Sequence, residues 1–194
     1  QMETMIQNLD EYSKMMSTSS LDDKGKAMAF QTTISRTVSF GAPATTLNRK
    51  QIDQVNLHIR RAAIRGLGIA KTAPTILIHG PIQLNGLGLI DYGLVQMKEH
   101  IRVIMDTCHE EISLTKNILQ HNFEAHQLES GTATSIFELD KQGVAMLSDT
   151  WMRNTLQAVI RANIKLHVPI PLLNLWRSGD KFIMDMILQA PGHS

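Results

Sequence analysis

The chain has a single cysteine, Cys108, among 194 residues. One thiol excludes an internal disulfide framework and any zinc site built on two or more Cys ligands. It also makes a reducing intracellular compartment, cytoplasm or nucleus, the expected location. Aromatic residues are scarce at 5%, which removes the stacking platforms that proteins use to hold unpaired bases. No apolar run approaches the roughly 20 residues of a membrane helix, because the longest candidates are broken by His79, Gly80 and Pro81 or by Lys98, Glu99 and His100. No membrane partner is expected. Neither sign of charge dominates, since 19 Lys plus Arg face 18 Asp plus Glu. With 43% hydrophobic residues the chain can bury a core. It opens on Gln1 with no targeting pattern, as expected of a piece of a longer polypeptide.

What is present is helical spacing. Met5, Ile6, Leu9, Tyr12 and Met16 give one amphipathic face, ended by Ser17, Thr18, Ser19 and Ser20. Ser20 is a candidate cap for a second helix with Asp22 and Asp23 in its first turn, Ala27, Phe30, Ile34 and Val38 on its apolar stripe, and Gly41 and Pro43 at its end. A third helix is expected from Thr45 or Thr46 to Gly66, with Ile52, Val55, Ile59, Ala62 and Ala63 on one side. The stretch from Gly66 to Gly93 is loop-rich, and Pro74 to His79 reads equally as a short strand or a helical turn. From Asp91 to about Leu128 the pattern fits two helices or one bent one. Leu94, Met97, Ile101, Ile104 and Met105 form the first apolar series, and Ile112, Leu114, Ile118 and Leu119 the second. The small, polar run from Glu129 to Ser135 marks the expected domain boundary, dividing the chain into 1–128 and 129–194. Beyond it, Thr150 to Ala162 reads as a helix carrying Trp151, Leu156 and Val159. Asn163 to Pro171 reads as extended, and a last helix capped by Ser178 or Asp180 runs through Phe182, Ile183, Met186 and Ile187. The fold class is mainly α, and Trp151 is expected to be largely buried.

Few patterns suggest catalysis. Asp22 and Asp23 are paired carboxylates, as a two-metal site needs, but their surroundings read as a solvated helix start. His109-Glu110-Glu111 lacks the second His of a zinc-protease helix, since position 113 is Ser. His121 and His126 are five apart, off the four-residue spacing that brings ligands together on a helix. Cys108 reads as a structural thiol. Gly86, Gly88 and Gly93 miss the dinucleotide fingerprint because position 91 is Asp. Asn85 to Leu89 instead suggests a tight turn, its main chain close either to a flat or anionic ligand or to its own chain.

The third helix carries the strongest physical signal. Between Arg49 and Lys71 there are six Lys or Arg against one acid, Asp53. Lys50, His58, Arg61 and Arg65, with Gln54 among them, are expected on the side away from the apolar stripe. Cations at three- and four-residue steps can follow a phosphate backbone. With no aromatics interleaved, a duplex is the natural ligand.

The order of motifs resembles a known family. Phe30 to Gly41, the basic helix Arg49 to Arg65, Leu67-Gly68, Pro74, Ile76-Leu77-Ile78-His79-Gly80-Pro81 and Asn85-Gly86-Leu87-Gly88-Leu89-Ile90-Asp91 are similar to the thumb that follows the palm in reverse transcriptases of retrotransposon-like mobile elements. Thr150-Trp151, Asn163-Ile164-Lys165-Leu166 and Arg177 to Met184 are similar to pieces further along such reading frames. The resemblance implies a thumb-like helical bundle followed by a smaller helical extension, joined to fingers and palm of the same polyprotein. It implies template-primer as partner, RNA or RNA-DNA hybrid, held by Arg49, Lys50, Arg60, Arg61, Arg65 and Lys71, with Gly86 and Gly88 bringing main chain close. The chain lacks the aromatic-x-Asp-Asp motif of the palm, so no nucleotide incorporation is expected of it in isolation. No cofactor is expected in this segment, and the Mg of the reaction belongs to the palm. The competing reading is a helical protein-interaction module with Met-rich surfaces and no nucleic-acid role.

Overall fold

The computed structural model describes residues 2–111, 113–168 and 180–188. Among these residues the regular structure is helical throughout. The chain divides into two compact units, Gln1–Glu99 and His100–Ser194. The division falls inside a continuous helix rather than in the small, polar stretch near 129, so composition gives no sign of it. That stretch is an internal turn of the second unit.

In the first unit, α1 (Met2–Thr18) and α4 (Arg49–Gly66) pack along one another. Met5 and Leu9 meet a core that includes Ile52, Val55, Ile59, Ala62 and Ala63. Between them run α2 (Asp23–Ala29), a π-helical turn at Phe30–Ile34 and α3 (Ser35–Phe40). Asp22, not Ser20, caps α2, its carboxylate accepting from the Gly25 N–H at 2.9 Å. That use of Asp22 matches a helix start. Phe30, Ile34 and Val38 are buried as the spacing predicts. A 3-10 turn at Ala42–Ala44 delays α4 until Arg49, later than the Thr45 or Thr46 start expected. The start is set by Asn48, whose side chain accepts from Gln51 N–H while the Gln51 side chain accepts from Asn48 N–H.

Pro74 to His79 resolves as a helical turn, α5 (Thr75–His79). A longer helix, α6 (Tyr92–His109), follows the glycine-rich turn. Tyr92 is fully buried, its hydroxyl 2.7 Å from that of Thr45. Burial pushes the phenol up from its ordinary value, partly offset by the Thr45 hydrogen bond.

The second unit contains α7 (Leu114–Ser130), α8 (Lys141–Met146), α9 (Trp151–Arg161) and α10 (Ile183–Leu188). Ile104, Leu119, Phe123, Val144, Leu147, Met152 and Leu156 form its core. Ser113, Asp140 and Thr150 cap α7, α8 and α9 through their side-chain oxygens. Gly131 ends α7 at φ +65°, a left-handed conformation that favours glycine, and its carbonyl accepts from Met184 N–H at 2.9 Å. Asp185 accepts from Ala133 N–H at 2.8 Å, so α10 docks on this turn. Trp151 has most of its surface buried, packed against this core, and stands edge-on to His100 at 5.4 Å. Asn163 to Val168 is non-helical as expected, whereas 169–171 and Ser178 lie outside the described residues. Asp180 is described, and α10 begins three residues beyond it.

The Glu129 carboxylate joins α7 to the start of α9. It accepts from the Ser148 hydroxyl at 2.6 Å and N–H at 3.1 Å, and it lies 2.8 Å from His126 Nδ1. The Ser148 hydroxyl above all, then His126 and the Ser148 N–H, hold the Glu129 carboxyl below its ordinary value, against the opposing effect of burial. Glu124, bonded to Gln120 and His121, is lowered as well. A lowered carboxylate contributes stability above its unfolded pKa of about 4.3, and this is lost as pH falls through the folded value. Thermal melts should therefore show the native state weakening below about pH 4. Glu129→Gln should flatten part of that dependence and lower stability at neutral pH by about 1 kcal/mol. A variant with the parent's acid dependence would show that these bonds contribute nothing.

Candidate nucleic-acid interface

The helix α4 has one face in the core and one in solvent. At about 100° per residue, Lys50, Gln54, Leu57, Arg61 and Arg65 fall on the side opposite Ile52, Val55, Ile59 and Ala62. Lys50, Arg61 and Arg65 are exposed, and among the described residues none of them makes an ion pair. Lys71, on the turn after α4, is likewise exposed. Arg61 and Arg65 are one turn apart, about 5–6 Å between Cβ atoms. Arg49 is exposed but pairs with Asp53 at 3.1 Å. Such an exposed pair is worth at most about 1 kcal/mol, so Arg49 can exchange it for another anion.

Arg60 and His58 do not share this face. Arg60 donates to the Ala73 carbonyl at 2.9 Å and contacts the Thr75 hydroxyl at 3.4 Å, clamping α4 to the loop before α5. Its charge remains, but its donors hold the chain. His58 is half-buried beside α1, with Nδ1 3.8 Å from Asp10. Neither displacement was legible in the sequence, because both contacts reach to other segments.

Two further polar ties fix the helix. Asn56 accepts from Tyr92 N–H at 2.8 Å. Gln96, buried, accepts from Leu47 N–H at 3.0 Å and donates to Leu47 O at 3.3 Å. The cations therefore stand on a helix held along its length.

The N-terminus of α4 bears on the same question. It carries Arg49 and Lys50 and no acid in its first turn. Cations beside the positive end of a helix dipole are unfavourable by about 0.3–1 kcal/mol each. Local stability does not call for them there, whereas an anion would gain from the side chains and the dipole together.

The glycine turn is used by its own chain. The N–H groups of Gly86, Leu87, Gly88 and Leu89 bond to the carbonyls of Pro81, Leu77, Gly80 and Ile78 at 2.8–3.0 Å. A Cβ on Gly86 would lie 2.2 Å from the Gly80 carbonyl oxygen, and Gly88 has φ +63° with Ile82 where its Cβ would point. Of the two readings of this turn, the structure realises close approach to its own chain, and these four donors are unavailable to an external anion. Asn85 takes φ +60°, the left-handed conformation that Asn tolerates better than most side chains.

Elsewhere, a relay escaped the sequence reading. His126 Nε2 lies 3.1 Å from the Thr150 hydroxyl, and Nδ1 faces Glu129. The spacing of His126 and Glu129 on one helix was the available signal. This is a hydroxyl, imidazole and carboxylate in line, but His126 is 5% exposed and the Thr150 oxygen caps α9. It fastens two helices. Burial pushes the Cys108 thiol up, with Lys116 opposing, so the thiolate is scarce; His109 bonds Met105 O instead. A pocket of about 240 Å³ between α8 and α9 is lined by Lys141, Val144, Ala145, Gln157, Ile160 and Arg161, which include no nucleophile and base pair. Among the described residues no three His, Cys, Asp or Glu side chains are grouped to hold a metal, and no helix is long and apolar enough to cross a membrane. No family model, curated protein or solved structure matches the chain.

Proposed function

We propose that the chain is a helical thumb and post-thumb region of a retroelement reverse transcriptase, gripping the template-primer duplex behind an active site located elsewhere. One observation carries the duplex-gripping part of this reading: α4 presents Lys50, Arg61 and Arg65, exposed and, among the described residues, without ion-pair partners, on one face of a helix fixed by packing and polar ties. Phosphates bound there position a duplex without reading its bases. Lys71 and, by exchange of its Asp53 pair, Arg49 extend the contact at the two ends of α4. Arg60 contributes charge and holds the helix in place. Gly86 and Gly88 serve indirectly, by shaping the segment next to α4 rather than by touching nucleic acid. The identity as a reverse transcriptase rests on the motif order alone.

The chain should bind RNA-DNA hybrid and RNA duplex with little sequence preference. In fluorescence anisotropy, Arg61→Gln with Arg65→Gln should weaken binding by about tenfold, the scale of 1.4 kcal/mol, with circular dichroism unchanged. Undiminished binding by the double variant would remove α4 as the interface.

A further inference from the structure

The pocket between α8 and α9, about 240 Å³, differs in chemistry between floor and rim. Val144, fully buried, and Ile160, mostly buried, belong to the apolar packing of the second unit and form the floor with Ala145. That floor is apolar and fixed. At the rim stand Gln157 and two exposed cations, Lys141 and Arg161. Arg161 donates its Nε to the Gln157 carbonyl at 3.1 Å, which leaves its Nη groups for other acceptors. Among the described residues neither cation makes an ion pair. Neither α8 nor α9 contains an acid. The carboxylates just before each helix are engaged, Asp140 accepting from Gly143 N–H at 2.7 Å and Asp149 from the Asn154 amide at 3.4 Å. Arg153 adds a third positive charge, one turn before Gln157 on the same face of α9. Its Nη2 donates to the carbonyl of Ala145 at 3.1 Å, while its Nε is buried with no partner.

We propose that this pocket binds a small amphipathic carboxylate, with its short hydrocarbon body on Val144, Ala145 and Ile160 and its head group between Lys141 and Arg161. Uncompensated positive charge at the mouth of an apolar cavity selects an anion, and the apolar floor selects an anion that carries hydrocarbon. A nucleic-acid phosphate would use the cations and leave the floor empty. At roughly 30 Å³ per heavy atom, the share of a water molecule in the liquid, the cavity admits about eight heavy atoms. Hydrogen bonds from Arg and Lys to an ionised carboxylate are roughly twice as strong as neutral ones, so the charge of the head group decides affinity. A ligand of this size should bind with a Kd of about 1 mM. The site lies within the second unit and is independent of the phosphate-binding reading of α4.

Hexanoate, with a six-carbon chain, is the probe, titrated into the nitrogen-labelled chain while the amide signals of Val144, Ala145, Gln157 and Ile160 are followed. It should saturate with a Kd of about 1 mM, whereas hexanamide, its neutral isostere, and acetate, the same head group without the body, should each bind at least about tenfold more weakly. Lys141→Gln and Arg161→Gln should each weaken hexanoate about tenfold and leave hexanamide unmoved, with circular dichroism unchanged. Ala145→Leu, which places a larger side chain at the floor, should weaken both ligands. RNA duplex should not displace hexanoate. The absence of saturable shifts by about 10 mM would overturn the site. Equal affinity for hexanoate and hexanamide would remove the cations from it, and acetate or inorganic phosphate binding as tightly as hexanoate would remove the pocket. Displacement by RNA duplex would make the cleft a nucleic-acid contact instead.

Discussion

Gly86→Ala should destabilise the first unit by about 3 kcal/mol or more in a urea titration. The added methyl would sit 2.2 Å from the Gly80 carbonyl oxygen and 2.3 Å from its carbon. Both are backbone atoms, so no rotamer change relieves the clash. The turn is further pinned by the bonds from Gly86 N–H to Pro81 O and from Gly88 N–H to Gly80 O. Gly88→Ala makes a useful comparison. Its φ of +63° strains any L side chain by about 1–2 kcal/mol, but its Cβ would meet the movable Ile82 side chain. Gly88→Ala should therefore be the milder of the two. A Gly86→Ala chain as stable as the parent would mean that the two backbones do not approach in this way.

Ile59→Ala should cost about 3 kcal/mol, through lost transfer energy and a cavity between α1 and α4. Ile59 is 0% exposed and sits in the apolar cluster of the first unit. Leu57, two residues earlier, is 45% exposed. Leu57→Ala should change stability by less than about 0.5 kcal/mol. The pair of denaturation curves separates the two faces of α4, and equal losses would place the basic face wrongly. Because the cations depend on a fixed helix, Ile59→Ala should also weaken duplex binding without touching a charge.

The helices legible in the sequence are those whose apolar residues lie on one side over many turns. For α1 and α4 the stripe alone identifies both the helix and its buried face. For α7 it does not. Leu114 and Ile118 read as one apolar series with Leu119, yet only Leu119 is buried, because both sides of the helix are apolar and period cannot choose between them. Pro74 to His79 stayed open because a five-residue helix shows little more than one period. The start of α4 was readable from Asn48 and Gln51, a capping box by type and spacing. The π-helical turn at Phe30–Ile34 left no trace, since its buried residues keep a four-step spacing. The division at Glu99 and His100 was equally hidden, lying within α6 where helical sequence is unbroken.

The candidate interface was legible in composition and less so in detail. Six cations with one acid between Arg49 and Lys71 are visible without coordinates. That Arg60 turns to Ala73, and that Asp53 occupies Arg49, depends on side-chain geometry. The glycine turn offered two readings because the deciding atom, the Gly80 carbonyl oxygen, lies six residues before Gly86.

The central claim, that the outer face of α4 neutralises phosphates, has a direct readout in the salt dependence of duplex binding. Each phosphate contact releases counterions and adds about 0.9 to the slope of log K against log salt on duplex DNA. Affinities of the parent and of the Arg61→Gln, Arg65→Gln variant should be measured over a salt series on one duplex. The variant's slope should be shallower by about 1.8, the share of two lost contacts. Equal slopes and equal affinities would contradict the account and leave α4 as a solvated helix.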